Sequence, residues 1–278
     1  IGVEAMTSSS LAGKLLGTHK DDINGLLGLT MPGYFALMTK RFMNETGATP
    51  ADMAYPSVKN HKNGCLNPYS MYKKIFTTED ILNSRIISDP ITLYECCPTS
   101  DGAAAVIYCS EDFAKQYTTR LITIEASKCM SSCYEDSSED ITGFHMPRVL
   151  SQACYEMAGI GPEDLDCVEL HDAFSPEEIW AYTDLGLCRK ENVLDFIRSG
   201  AAEIGGKCAV NASGGLLSLG HPLGASGVRV VCEIALQLRG EAGQHQVHGA
   251  KVGMAQMMGG FISGLQAPIG LGIQILKG

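Results

Sequence analysis

Hydrophobic and polar positions divide the chain into an irregular first third and a regular remainder. Over residues 1–90 the apolar periodicity is weak and Gly, Asn and Ser are frequent. One helix stands out there, from Pro32 to Thr46. Tyr34, Phe35, Met38 and Phe42 recur at helical spacing, Pro32 suits the first turn and Gly47 the exit. Segment 57–70, SVKNHKNGCLNPYS, is polar and reads as a loop. It is open whether that loop is merely solvated or touches a ligand phosphate through Lys59, His61 or Lys62. In CCPTSDGAAAVIYCS (96–110) a turn leads into small and then apolar residues, which suits a helix start or a buried strand.

From about residue 120 strands and helices alternate. LITIEA (121–126) and LDCVEL (165–170) read as strands, and MSSCYEDSSED (130–140) as an acidic loop. A helix is predicted from Pro147 to Met157, with Leu150, Ala153, Cys154 and Met157 on one face and Gly159 as its stop. Ser175-Pro176-Glu177-Glu178 reads as a capping box that starts a helix running to about Leu185. A Gly-rich loop over 211–224 feeds a helix with Val228, Val231, Cys232 and Ala235 inward, closed by Arg239 and Gly240. The tail, 251–276, reads as two apolar strands split at Gly259-Gly260. This alternation predicts an α/β domain with a parallel or mixed sheet.

Composition narrows the function classes. The chain has 278 residues, 45% hydrophobic and 19% charged. That is enough for one large domain or two ordinary ones and excludes disorder. No uncharged apolar run reaches the ~18 residues of a membrane span. A net charge of −10 argues against nucleic-acid binding. Eleven scattered cysteines, no Cys-x-x-Cys and no signal peptide point to reduced thiols, mostly buried, and to no metal site. The opening IGVEAM reads as the end of a buried strand, which points to a chain lacking its first segment.

Two histidines carry the candidate chemistry. His171, in VELHDAF, follows a buried strand and precedes a helix N-terminus, where α/β folds place ligands and anions are favoured. A structural alternative has His171 packing the strand end against Asp172. His221 lies in NASGGLLSLGHPLGASG (211–227), bracketed by five glycines. No phosphate-loop or dinucleotide fingerprint fits this loop, and Ser226 is in no nucleophile elbow. A general base fixed on a tight loop, or a plain structural turn, are the readings for His221.

VELHDAFSPEEIWAYTDLGLC, NASGGLLSLGHPLGASG and LQLRGEAG, in this order and spacing, closely resemble the thiolase superfamily, and within it the sterol-carrier-protein-X type. KNHKNGCLNPYS and CCPTSDGAAA resemble that subgroup too. The resemblance implies a thiolase-like α/β fold of two βαβαβαββ halves with mixed five-stranded sheets. Residues 1–120 would be the remainder of the N-terminal half, with a loop domain over about 6–90, and 121–278 the C-terminal half. It implies thiolysis of 3-ketoacyl-CoA or the reverse Claisen condensation, in fatty-acid or sterol side-chain metabolism. Coenzyme A would be a substrate and no cofactor is needed.

In such enzymes a cysteine is acylated. The histidine matched by His221 activates it, and the one matched by His171 helps bind the thioester oxygen. Cys97, Phe174, Ser213, Gly214 and Met257 would line the substrate site. Lys59, Lys62, Lys73 and Lys74 are candidates for a CoA-binding patch. The resemblance also implies a homodimer in the full-length protein and a peroxisomal or mitochondrial location, although the terminal LKG is not the peroxisomal SKL.

The chain departs from the pattern twice. No cysteine has the Cys-(Ala/Ser)-(Ser/Thr)-Gly setting of the nucleophile. Ala173 and Met257 stand where a second, acid/base cysteine is expected, and methionine cannot transfer a proton. A protein that binds acyl-CoA or lipid without turnover is therefore an alternative, as is a structural subunit of a hetero-oligomer.

Overall fold

The computed structural model describes residues 1–7, 23–131, 141–262 and 267–278. Strand β1 (Gly2–Ala5) is followed by α1 (Ile23–Leu26), α2 (Met31–Thr46), α3 (Pro50–Gly64) and α4 (Thr78–Leu82). Next come the short strands β2 (Ile86–Ser88), β3 (Ile91–Thr92) and β4 (Asp101–Ala104). After α5 (Glu111–Ala114) lie β5 (Thr123–Ser131), α6 (His145–Ala158), β6 (Cys167–Glu169), α7 (Ser175–Asp184), α8 (Val193–Arg198) and β7 (Ala209–Val210). Then follow α9 (Gly215–Leu219), α10 (Leu223–Arg239), β8 (Val252–Ile262) and β9 (Ala267–Lys277).

The architecture is α/β around a mixed five-stranded sheet in the order β5-β9-β8-β6-β7. β6 runs parallel to both β7 and β8, while β9 is antiparallel to β5 and β8. Such a sheet must be covered on both faces. Helix α6 packs on β5 and β9, and α10 packs on β8 and β6. The far side of α10 meets the antiparallel pair β1–β4. That placement revises the inward face predicted for α10. Val231 is buried as predicted, together with Ser226, Val230, Ile234 and Gln237, whereas Val228, Cys232 and Ala235 are half-buried. The Cys232 thiol donates to Ala105 O, just beyond β4. In α6 the buried set is Met146, Leu150, Cys154 and Tyr155, and Met157 turns outward.

Three further expectations are corrected. Gly259-Gly260 does not split the tail; both lie within β8, and Gly260 adopts φ +67°. Ser175 is not the cap of α7. Phe174 is the N-cap, and the Glu177 carboxylate accepts from Ala173 N (3.0 Å) and Phe174 N (3.4 Å). The third correction is the largest. Residues 57–64 are not a solvated loop but the second half of α3. Its start carries a capping box, with Asp52 N donating to Thr49 Oγ1 and Thr49 N to Asp52. Its buried face is polar: Ser57, Lys59, Asn60, His61 and Asn63. A polar face leaves no apolar periodicity to read. Residues 132–140 of the predicted acidic loop lie outside the described residues.

His61 shows what burial does to such a face. Its ring is fully buried, edge-on to Tyr72 (5.1 Å between centroids) and Phe76 (4.7 Å). Burial lowers its pKa from 6.5 to about 4. Between those values the unfolded chain binds the extra proton. The stability tied to this ring is therefore complete above the unfolded value and lost as pH falls through about 4. A shift of this size corresponds to about 3 kcal/mol. Urea unfolding at neutral pH and at about pH 4 should show His61→Phe losing less stability on acidification than the unchanged protein. Equal losses would refute the assignment.

Candidate active site

The two histidines reach each other because β6 and β7 are adjacent and parallel. Val168 is in register with Val210, so the chain leaves both strands at the same edge of the sheet. His171 lies two residues beyond β6, and the 211–221 loop begins directly after β7. Asn211 joins the two exits. Its N donates to Val168 O (2.8 Å) and its Oδ1 accepts from Leu170 N (2.9 Å). It does so at φ +52°, a left-handed conformation that Asn tolerates better than most side chains.

The His171 and His221 rings meet edge to face, with centroids 5.1 Å apart. His171 Nδ1 is 2.7 Å from Glu177 Oε1, and its backbone N donates to Gln256 Oε1 (2.8 Å). Asp172, the partner of His171 in the structural alternative, is turned the other way. Asp172 accepts from Leu216 N (2.6 Å), Leu217 N (3.3 Å) and Asn60 Nδ2 (2.8 Å). It thereby pins the loop that carries His221. Burial, and then the neighbouring Glu178, push the Asp172 carboxyl up. A Cβ on Gly215 would fall 2.2 Å from Asp172 Oδ2, and Gly215 has φ +61°, so the site requires glycine there.

His221 Nδ1 is 2.8 Å from Ser226 Oγ, whose own proton goes to Pro222 O (3.0 Å). Ser226 must therefore accept Nδ1–H, which leaves Nε2 of His221 with its lone pair. Burial, followed by the nearby His171 and Arg229, lowers the His221 pKa well below that of a free imidazole. Nε2 of each ring has no hydrogen-bond partner among the described residues. The pair thus presents two imidazole nitrogens with fixed backing, a geometry suited to proton transfer near neutral pH.

The remaining predicted site residues separate into neighbours and supports. Cys97 is a neighbour. Its N donates to Ala173 O (2.9 Å), and the next residue, Pro98, accepts from His221 N (3.3 Å). Burial comes first, then Cys96, Asp172 and Glu177, in holding the Cys97 thiol far up, and burial pushes Cys96 up to about 12. Both are thiols rather than thiolates at neutral pH, so neither is a poised nucleophile. Met257 is near the start of α10, its Cγ 3.7 Å from where a Cβ on Gly227 would lie.

Ser213, Gly214 and Phe174 are structural in this geometry. Ser213 is fully buried, donating to Glu169 Oε2 (2.6 Å) and accepting from Arg229 Nη1 (3.0 Å), so its hydroxyl is not free for a substrate. Gly214, at φ +105°, lets the loop close on α3; a Cβ there would meet Gly64 Cα at 2.7 Å. Phe174 stacks on Phe35 in the core at 4.5 Å. Among the lysines, Lys59 leaves the CoA-binding set because it is buried against Glu178. Lys62, Lys73 and Lys74 remain exposed.

Residues 128–269 match the family model described as thiolase C-terminal domain-like. The benzoylsuccinyl-CoA thiolase subunit BbsB of Thauera aromatica is 40% identical over 262 residues, covering 94% of this chain and 68% of that protein. The chain belongs to the thiolase family. Sterol carrier protein 2 of Oryctolagus cuniculus is 38% identical over 275 residues, 93% of this chain and 50% of that protein. The thiolase chain therefore spans about two thirds of one relative and half of the other. The solved structure titled Ltp2-ChsH2(DUF35) aldolase superposes with a TM-score of 0.78 at 24% identity, covering 94% of this chain and 69% of that one, which shows a shared fold. No helix among the described residues is long and apolar enough to cross a membrane.

Glu177, Ser226, Gln256 and Arg229 complete the candidate site, and the sequence does not single them out as site residues. Glu177 lies inside the box read from Ser175 to Glu178, one residue before the carboxylate that box assigns, and Ser226 reads only as a small residue after a turn. The signal for Ser226 was its spacing from His221, which places it within the first turns of the following helix. Gln256 and Arg229 come from distant elements, and no local pattern marks them.

Proposed function

We infer that this chain supplies the histidine pair of a thiolase-type acyltransferase acting on CoA thioesters. The observation that carries this reading is the 5.1 Å meeting of His171 and His221 at the ends of adjacent parallel strands. His221, neutral with a bare Nε2, is the base for a nucleophilic thiol, and His171 stands at the thioester. The thiol itself comes from outside these 278 residues, because none of their cysteines has the nucleophile setting. CoA is a substrate and no cofactor takes part. Residues 1–120, with the loop domain over about 6–90, and 121–278 belong to the two thiolase halves. A homodimer through the N-terminal half, a role in lipid or sterol side-chain metabolism and a peroxisomal or mitochondrial location complete the reading.

The second reading, acyl-CoA binding without turnover, draws on Ala173 and Met257, which offer no thiol for acid/base work. Calorimetry with CoA and a CoA-dependent acetoacetyl-CoA cleavage assay separate the two. The assay uses the chain and a version extended upstream to include a nucleophile loop. The first reading expects binding by both and cleavage by the extended form. Binding without cleavage in the extended form favours the second, and no binding overturns both.

A further inference from the structure

We propose that the side-chain amide of Gln256 donates a hydrogen bond to the thioester oxygen of the substrate, as a second donor beside His171. This rests on the acyl-CoA reading above and adds a substrate-binding residue to it. Glu169, the last residue of β6, is in register with Ala255 of β8. Gln256 therefore stands level with the point where the chain leaves β6 for His171. Gln256 is only 2% exposed, and its Oε1 accepts the backbone N–H of His171 (2.8 Å). A backbone N–H only donates, so the end of the amide that meets it is the oxygen and the other end is NH2. Nε2 has no hydrogen-bond partner among the described residues. Unlike Trp180 Nε1, it is not an orphan sealed away from solvent. A fixed amide thus holds an open donor next to His171.

The other neutral donors around the histidine pair are spent. The Ser213 hydroxyl donates to Glu169 and the Ser226 hydroxyl to Pro222 O. The Asn211 amide goes to Glu178, and that of Asn60 to Asp172 and Glu178. A carbonyl oxygen has two lone pairs, so it can take a second donor besides a histidine. That donor gains weight as negative charge grows on the oxygen, and it costs least when its position is fixed beforehand. The amide is neutral and exchanges no proton with the substrate. Its part is to bind the oxygen and to stabilise charge there, with no bond made or broken at Gln256.

S-ethyl-CoA carries a CH2 where acetyl-CoA carries its carbonyl, so this pair of ligands isolates the oxygen. Calorimetry should show that the unchanged protein prefers acetyl-CoA by about fivefold or more. Gln256→Glu keeps an oxygen for His171 N–H and puts an acceptor where Nε2 stood, so it should abolish the preference. Both ligands carry the same phosphates, and their ratio cancels any general effect of the new charge. Nitrogen-15 labelling of glutamine reads the contact in the unchanged protein. The Nε2 protons of Gln256 should move downfield with acetyl-CoA and not with S-ethyl-CoA. If Gln256→Glu does not fold, the labelled amide decides. Equal binding of the two ligands, a preference that survives Gln256→Glu, or an amide that acetyl-CoA leaves unmoved overturns the proposal and leaves the acyl-CoA reading standing. Binding of neither ligand overturns both.

Discussion

Replacing Lys59 by Met is expected to destabilise the protein by about 3–5 kcal/mol, the range found when one partner of a buried ion pair is removed. The Lys59 side chain is 1% exposed and that of Glu178 is 0% exposed, and they meet at 3.0 Å. Nζ also donates to Asn60 Oδ1 (2.6 Å) and to Val210 O. Glu178 collects donors from Asn60 Nδ2 (2.7 Å), Asn211 Nδ2 (2.7 Å) and the Tyr182 hydroxyl. Without the ammonium this carboxylate stays buried, out of reach of water and beside Asp172. Glu178→Gln leaves the converse defect. The double variant Lys59→Met/Glu178→Gln removes both charges and should be more stable than the sum of the single effects by more than about 1 kcal/mol. Urea unfolding at neutral pH measures all three. A single-variant loss below about 1 kcal/mol, or strict additivity, would refute the ion-pair account. The pair also has a functional consequence. Asn60 donates to both Asp172 and Glu178, so α3 anchors the His171 and His221 loops from beneath.

That anchor explains what could and could not be read from the chain alone. From 121 onward β5, α6, β6, α7, α10 and the tail strands were legible from their apolar patterning, whereas the short α8 and β7 carry too few residues to show a period and α9 is hidden inside the Gly-rich loop read over 211–224. The histidines were legible because their flanking residues, HDAF and GHP within a Gly-rich loop, are local patterns. Helix α3 was not, since its buried face is made of polar residues: Lys59, Asn60 and Asn63 find partners more than a hundred residues away, and His61 packs on Tyr72 and Phe76. The same holds for the Glu177–His171 contact. With Ser175 read as the N-cap, three-residue spacing points to Glu178; the N-cap is Phe174, so Glu177 caps α7 instead. Its second oxygen is left for His171 only because the strand exit bends back over the helix start. Ser213 is the opposite case, a residue that looked free in a Gly-rich loop. Tertiary contacts with Glu169 and Arg229 engage it completely.

Replacing His221 by Ala should lower CoA-dependent cleavage of acetoacetyl-CoA by about 10³-fold, as expected when a general base is removed. The form assayed is the one that cleaves this substrate. The size follows from how completely the ring is prepared. Ser226 takes Nδ1–H and passes its own proton to Pro222 O, so Nε2 offers its lone pair without any rearrangement. Neutral His221 is the working form, and burial with His171 and Arg229 nearby disfavours a positive charge on the ring. Protonation switches the base off, so the rate should hold at neutral pH and fall only as pH drops below the ordinary imidazole value near 6.5. Ser226→Ala removes the tautomer lock and leaves the imidazole, so it should cost less than His221→Ala. An alanine variant that keeps more than about a tenth of the rate would remove His221 from the proton-transfer step. An acid limb at or above the free-imidazole value would do the same to the neutral-base role. Two chemically identical rings are thus set apart by their surroundings, a hydroxyl behind His221 and a buried carboxylate behind His171.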